Sequence, residues 1–430
     1  MYHCVKSGIK NLVLSHCPVQ QGSINSQVIR NKNITRHTSS NPLSMERPKT
    51  IHSKPKVQDQ DTFAFFRTIE SAGKDWMAVG NLTNDLFFQR DFLAAVEAAP
   101  PDGMRLGYLV FYKNEVPAGI AVCQIKHFIA GESLNAQSNN QKEPCFFDGL
   151  AKWFKKGVAN LAEADILICG NLLVTGAHGY WFNSESYGKE EAAQLLRKGL
   201  QHAAGQLEQQ GTKIAMMLIK DISPEDQSNI GQQFTCQQFT EFEIQPNMVL
   251  DLHYPDFDAY LNAITTKYRT RAKRAFKKAT AIEKRELTST EIRQYQVQMF
   301  HLYKEVASNA GFNMVDLNEQ YIPTLHERMQ GQFQVFGYFL DGELVSYYTI
   351  LKNNEELEAH FLGYNKAFNH DYQLYLNMLY DIVDNAFRLG CHRVVFARTA
   401  LEIKSSIGAV PEPLFCYLCH QNVIINRFAG

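Results

Sequence analysis

The order of elements occurs twice along the chain, and that repeat constrains the fold more than any single motif. In the second half, Asp341-Gly342 separates two apolar, strand-like runs, 333–340 and 343–352. An Asp-Gly pair between such runs specifies a tight hairpin. Asn353-Asn354 then turns the chain into a third strand, 355–364, followed by a helix over 372–389 closed by Gly390 and a strand at 393–397. Helices over 257–285 and 291–309 precede the hairpin, and short strands near 414–418 and 422–428 end the chain. The first half has a helix at 90–98, strands at 104–112 and 116–129 joined by Lys113-Asn114-Glu115, and a strand at 165–174. A helix over 189–210 stopped by Gly211 and a buried strand at 212–220 complete it. Identity between the halves is low, so the repeat is one of order. Two copies of one α+β fold follow, 61–245 and 246–430, with the seam near Gln245 to His253.

Charge separates off the first stretch. Residues 1–58 carry nine basic side chains and one acid, Glu46, in a chain whose net charge is -1. They are rich in Ser, Asn, Gln and Thr without sustained periodicity, and read as disordered. An over-called start (Met45 is an internal candidate), a flexible tail and an acid-poor targeting segment remain open. The near-zero total charge excludes nucleic-acid binding by bulk charge, and DNA is not an expected partner, although a local patch could still bind an anion. No apolar run reaches the ~18 residues of a membrane span, and no secretory signature is present, so a cytoplasmic protein is expected. A polar stretch at 132–143 reads as a surface insertion. The nine cysteines are odd in number, scattered and mostly in apolar runs, as expected of reduced core thiols. Cys416-Tyr-Leu-Cys419-His420 matches the haem-attachment spacing, but it lies in a segment that reads as a buried strand. No metal site is expected.

Four segments hold the candidate chemistry. Residues 265–285 contain nine basic side chains and one acid. On a helical wheel they form an apolar stripe flanked by Lys267, Arg271, Arg274 and Lys278, a row of cations suited to phosphates. The loop from Cys169 to Gly179 contains Gly176 and Gly179, whose backbone could cradle an anion; a plain tight turn is the competing reading. Glu358, His360 and Tyr364 alternate on the third strand of the second half, so one face would carry a carboxylate, an imidazole and a phenol. After the last buried strand, Arg398, Glu402 and Lys404 cluster where the strand ends.

These segments resemble the GNAT acyltransferase superfamily, and the doubled order is similar to its tandem branch, the Fem-type peptidoglycan aminoacyltransferases and related bacterial acetyltransferase-domain proteins. The resemblance rests on the basic segment 267–279, the Cys169–Gly179 loop and the tail 398–411. It implies two tandem GNAT-like domains, each a mainly antiparallel mixed sheet flanked by helices. It implies transfer of an acyl or aminoacyl group from acyl-CoA or aminoacyl-tRNA to an amine on a small molecule, lipid or cell-wall precursor, with peripheral membrane contact allowed. Glu358 or His360 would be the base and Tyr364 the acid. The alternative is a non-catalytic GNAT-like module that holds a phosphate-bearing ligand or an anionic surface. The superfamily's glycine-rich pyrophosphate loop should fall at 365–372, which contains no glycine. The phosphate contacts would then come from the basic segment or from the Gly176/Gly179 loop.

Overall fold

The computed structural model describes residues 62–129, 163–236, 238–308 and 315–421. The leader, the 132–143 insertion and the strand expected at 422–428 lie outside them. The described residues form an α+β architecture around one mixed sheet of thirteen strands.

The first half supplies β1 (Thr62–Phe66), α1 (Ile69–Gly80), α2 (Arg90–Ala98), β2 (Met104–Lys113), β3 (Val116–Ile129), β4 (Glu163–Cys169) and β5 (Tyr180–Phe182). It continues with α3 (Lys189–Gln209), β6 (Ile214–Ile222), α4 (Pro224–Cys236) and β7 (Thr240–Asp251). The second half begins with α5 (Phe257–Ala263), α6 (Thr266–Lys278), β8 (Glu283–Glu286), α7 (Ser289–Ala307) and α8 (Tyr321–Met329). There follow β9 (Phe333–Leu340), β10 (Glu343–Asn353), β11 (Glu356–Tyr364), α9 (Lys366–Tyr372) and α10 (Leu374–Arg388). The last elements are β12 (Arg393–Val395), α11 (Leu401–Ser405) and β13 (Val410–His420).

Along the sheet the order is β1-β2-β3-β4-β6-β13-β7-β12-β11-β10-β9-β8, with β5 beside β3. The two ends of this list are counterparts, strand for strand. Only β4–β6 and β11–β12 pair in parallel among the described residues, at equivalent places in the two halves. The final strands are exchanged: β7 of the first half pairs with β12, whereas β13 of the second half pairs with β6. β7 and β13 also pair with each other, so neither half completes its sheet alone. The expected seam at Gln245–His253 falls largely inside β7.

Period-two alternation divides the core into layers. On β2, Leu106, Tyr108 and Val110 join one apolar cluster, and Leu109 and Phe111 join another. The first cluster runs through both halves and is covered by α1, α2, α7 and α8. On the opposite face α3 and α4 cover the first half, and α5, α6 and α10 cover the second. The Asp341-Gly342 hairpin forms as its sequence requires, with both residues at positive φ.

Three expected elements differ. The helix over 257–285 is two helices and a strand. Ile264 and Thr265 are extended, with ψ of 152° and 149°, at a run of β-branched residues that disfavours helix. Residues 283–286 pair along the free edge of β9 as the outermost strand, a constraint no helical wheel contains. The helix over 372–389 begins after a break at Gln373, whose φ is +51°, and the strand at 165–174 ends at Cys169 because Gly170 turns the chain at φ +150°. Cys123, Cys169, Cys391, Cys416 and Cys419 are free thiols, the first four buried, and Cys416 to His420 lies in β13.

Gly363 fixes how closely α7 lies against β11: a Cβ there would sit 2.5 Å from the Tyr303 amide nitrogen. Gly363→Ala therefore forces the helix away, and a cost of about 1–3 kcal/mol is expected, measured as a lowered urea midpoint at unchanged m-value.

Candidate functional site

The sheet splits in the second half. β12 pairs with β11 only from Glu356 to Glu358. Beyond Val395 the chain follows β7 instead: the Phe396 N–H donates to the Met248 carbonyl at 2.8 Å, and the Met248 N–H to the Ala397 carbonyl at 3.1 Å. β11 meanwhile continues along β10. From Ala359 onward its other edge has no strand neighbour among the described residues, and a cavity of about 330 Å³ opens in the gap. Its walls come from β11, α7 and α10, from the 172–175 loop of the first half, and from 396–404.

A bulge aims the β11 side chains. Ala359 opposes Ile350 and Leu362 opposes Tyr348, so His360 and Phe361 together face the single residue Thr349. The Thr349 hydroxyl replaces the lost ladder, accepting from the Phe361 N–H at 2.9 Å and donating to its carbonyl at 3.0 Å. The extra residue reverses the alternation. Glu358 and His360 share the α7 side and line the cavity, as their spacing predicts. Tyr364 falls on the α10 face, packed against Tyr375, and does not join them.

Glu358 is 2% exposed, and its Oε1 has no hydrogen-bond partner. Burial, with Glu356 and Asp85 adding negative potential, holds its carboxyl well above the usual carboxylate range. His360 Nε2 lies 2.9 Å from the buried Tyr321 hydroxyl, and its Nδ1 has no partner. Burial pulls this imidazole down to about 3, so it is neutral at physiological pH.

Arg398 and Lys404 line the same cavity, but both are engaged by the protein itself. Arg398 pairs with Asp221 and donates through Nε to the Gln245 carbonyl at 3.0 Å. Lys404 donates to the carbonyls of Phe396 and Arg398, both at 2.6 Å, and of Ala397 at 3.3 Å. It thereby holds a turn whose Ala397, Thr399 and Ala400 all have positive φ. Burial lowers its ammonium to about 7.

Gly176 and Gly179 stand behind this wall. The Gly176 N–H donates to Asp221 Oδ2 at 3.0 Å, and Gly179 packs on Gly170, where a Cβ would meet the Gly170 Cα at 2.9 Å. The loop thus carries structural bonds, with His178 held to Asp85 at 2.7 Å. Lys220, buried beside Asp221, lines the cavity and was missed in the sequence. Its signal is a Lys-Asp pair ending the apolar run 214–219.

The cations of α6 form a separate, open groove. Lys267, Arg271 and Arg274 line it with Glu402 and the buried Ser406, and Arg271 Nη1 donates to Ser406 Oγ at 3.2 Å. Lys278 turns elsewhere, to the His370 carbonyl at 2.9 Å. Lys284 and Arg285, displaced into β8, pair with Asp381 and Glu291. Between β11 and α10, where the resemblance puts a pyrophosphate loop, α9 stands instead. Its Asn369 side chain accepts from the Tyr375 N–H in the first turn of α10 at 3.0 Å.

Residues 266–405 match the family described as Acetyltransferase (GNAT) domain, and this part of the chain is a GNAT-superfamily domain. No curated protein sequence matches the chain. Among solved structures, a crystal structure of FemX aligns with a TM-score of 0.48 at 11% identity, covering 78% of this chain and 96% of that one. A tandem GNAT protein from the clavulanic acid biosynthesis pathway gives 0.48 at 10% identity, over 86% and 99%. L-PGS from Bacillus licheniformis gives 0.42 at 10% identity, over 79% and 94%.

Two stability measurements test this geometry. The Glu358 carboxyl keeps its proton in the folded state where the unfolded chain has lost it, so its contribution is complete below the ordinary glutamate pKa and declines as pH rises toward the folded value. Glu358→Gln should flatten the fall of stability as pH rises above the ordinary glutamate value by up to about 1.4 kcal/mol per pH unit. Urea denaturation across that range reads this, and an unchanged slope would mean an ionised carboxylate. Asp221→Asn, which leaves Lys220 and Arg398 buried without their counter-charge, should cost about 3–5 kcal/mol.

Proposed function

We propose that this protein is an N-acyltransferase that moves an acyl group from a coenzyme A thioester to an amine, with the reacting carbonyl at the open edge of β11. The observation that carries the reading is the parting of β11 from β12 over a cavity in which Glu358 is buried with its Oε1 unpartnered. An extended amide-bearing donor could add to this edge as a strand does.

In the reaction, the amine nitrogen attacks the thioester carbonyl, the C–N bond forms and the C–S bond breaks. Glu358 in its ionised form takes the proton that nitrogen must lose, directly or through one water. Burial raises its pKa, and with it the basicity of the ionised form. The thiolate leaves unaided, since a thiol pKa near ~8.5 makes it a good leaving group. His360, neutral and fixed by Tyr321, serves as a positioning and hydrogen-bonding group.

The donor phosphates belong, in this reading, on Lys267, Arg271 and Arg274. The Tyr375 N–H in the first turn of α10 is already bonded to Asn369, and the Gly176 N–H to Asp221, whereas the α6 groove is open and about 500 Å³ in volume. The short helix α11 separates groove from cavity, with Glu402 on one side and Lys404 on the other. The acceptor is an amine-bearing small molecule, lipid or cell-wall precursor. Among the described residues no helix is long and apolar enough to cross a membrane.

Thermal stabilisation by coenzyme A and a panel of its thioesters tests the donor. Ligand at ~100 times its dissociation constant should add about 2.7 kcal/mol, lost in the double variant Arg271→Glu, Arg274→Glu. Glu358→Gln should keep thioester binding and lower turnover by about 10²–10⁴-fold. No shift with any thioester overturns the donor, and aminoacyl-tRNA then takes its place in the same assay.

A further inference from the structure

His360 is held at one ring nitrogen and idle at the other. Its imidazole stands among the rings of Tyr321, Phe333 and Phe361, the last only 4.5 Å away between centroids. Nε2 lies 2.9 Å from the Tyr321 hydroxyl, and Nδ1 is buried without a partner. Tyr321, the first residue of α8, is 1% exposed. Among the described residues, Nε2 is the one hydrogen-bond partner of its hydroxyl.

These partners decide where the imidazole proton sits. A proton on Nε2 would donate to the phenol oxygen and leave two buried groups unmet, the Tyr321 O–H and the Nδ1 lone pair. An imidazolium would strand the same O–H. With the proton on Nδ1, the Tyr321 O–H donates to Nε2 and a single group is left over. Unmet buried polar groups are costly, so the hydrogen-bond network assigns the neutral Nδ1–H tautomer. The leftover donor belongs to a residue of the cavity wall.

Glu358 stands two residues earlier on the same side of β11, roughly 7 Å along the strand, with its Oε1 also unpartnered. One wall thus offers a donor fixed in direction and a carboxyl beside it. Addition of an amine to a thioester places a new oxyanion and a proton-bearing nitrogen on one carbon, the pattern this pair complements. The Phe361 N–H at the bulge is not free to meet that oxygen, because Thr349 holds it. We infer that His360 is a catalytic residue whose Nδ1–H donates to the carbonyl oxygen of the acyl donor, with Tyr321 as the positioning residue that keeps the proton on that nitrogen. The carbonyl contact rests on the acyl-transfer reading; the tautomer rests on geometry alone. As the amine nitrogen attacks, the C–N bond forms and the carbonyl π pair moves onto oxygen, where the Nδ1–H bond stabilises it without giving up its proton. When that pair returns, the C–S bond breaks, the thiolate leaves with its electrons, and the Glu358 carboxylate takes the proton from nitrogen.

Two spectroscopic readouts test this without an amine. Nitrogen NMR of the full, isotopically labelled chain, with His360 assigned by its loss in His360→Asn, should show a protonated Nδ1 and a bare Nε2 at neutral pH. Tyr321→Phe should shift that imidazole to the other tautomer or to a mixture, which a merely structural tyrosine would not do. Isotope-edited infrared spectroscopy then reads the carbonyl of bound acetyl-coenzyme A, or of the tightest binder in the thioester panel. Its stretch should fall below that of the free thioester and return to the free value in His360→Ala and His360→Gln. It should stay lowered in His360→Asn, whose amide nitrogen takes the place of Nδ1. A proton on Nε2 in the unaltered chain, an unchanged tautomer in Tyr321→Phe, or a lowered stretch that survives in His360→Ala overturns the inference. If His360→Ala does not fold, the unaltered chain decides: the Nδ1–H resonance should move with the thioester and not with coenzyme A, which lacks the carbonyl, and an equal response to both overturns the inference. A thioester that binds with an unshifted carbonyl overturns it and leaves the transferase reading standing. Failure of every thioester to bind overturns both, and the nitrogen spectrum still reports the tautomer.

Discussion

One carboxylate, Asp221, ties together the parts that make the cavity. It accepts from the Gly176 N–H of the first-half loop, pairs with Lys220 beside it, and pairs with Arg398 of the second half. Burial by itself would raise its pKa, but Arg398 and Lys220 outweigh that and hold it below the usual range. It reaches all three because β6 bulges where Lys220 and Asp221 together oppose Cys416 of β13, with Asp221 at φ +62°. The partner of that bulge is the exchanged strand, so strand exchange and ion-pair hub depend on each other. A Cβ on Gly170 would come within 2.7 Å of the Lys220 Cβ, so glycine at this bend is what lets the lysine lie there.

The same device recurs at β11. A strand that kept strict alternation would present Glu358 and His360 and then Tyr364 on one face, as the sequence implies. The extra residue at His360–Phe361 breaks that parity, and Thr349 supplies the missing backbone bonds with its hydroxyl. Nothing in the local composition announces a bulge, because the deciding residue is on a neighbouring strand. This is why the Glu358–His360 pair was legible and the position of Tyr364 was not. Elements set by local chemistry, such as the Asp341-Gly342 hairpin and the α3 helix, could be read directly. The residues over 257–285 have a convincing helical stripe as far as Lys278, but the free edge of β9 takes 283–286, and sequence distance hides that competition. Lys220 and Asp221 show in the sequence only as a charged pair ending an apolar run; their role was not legible for a related reason, since Asp221's partners Gly176 and Arg398 are brought to it only by the fold.

Strand-for-strand equivalence gives the molecule two comparable parallel pairs, and their fates differ. β4 stays paired with β6 through Cys169–Ile219, five partners deep, whereas β11 leaves β12 after three. Past Cys169 the first-half chain turns at Gly170 and returns at Gly179, whose carbonyl accepts from the Val122 N–H at 2.8 Å. The first-half chain thereby returns to the sheet beside β3, and Leu172 to Thr175 of that loop wall the second-half cavity. One half has given a loop to make a wall for the other.

That division accounts for the placement of charge. In the second half one N–H of the first turn of α10, that of Tyr375, is taken by the Asn369 side chain. Cations stand in two places of different character: an exposed row on α6, solvated and adaptable, and a buried cluster of Lys220, Arg398 and Lys404. An exposed row costs the fold little and suits a large, mobile polyanion. A buried cluster is retained at a cost, and its partners Asp221, the Val174 and Gln245 carbonyls and the 396–398 carbonyls fix its donors in direction. Donors fixed in this way do not rearrange when a ligand arrives, which is the condition under which charge discriminates between substrates rather than merely attracting them.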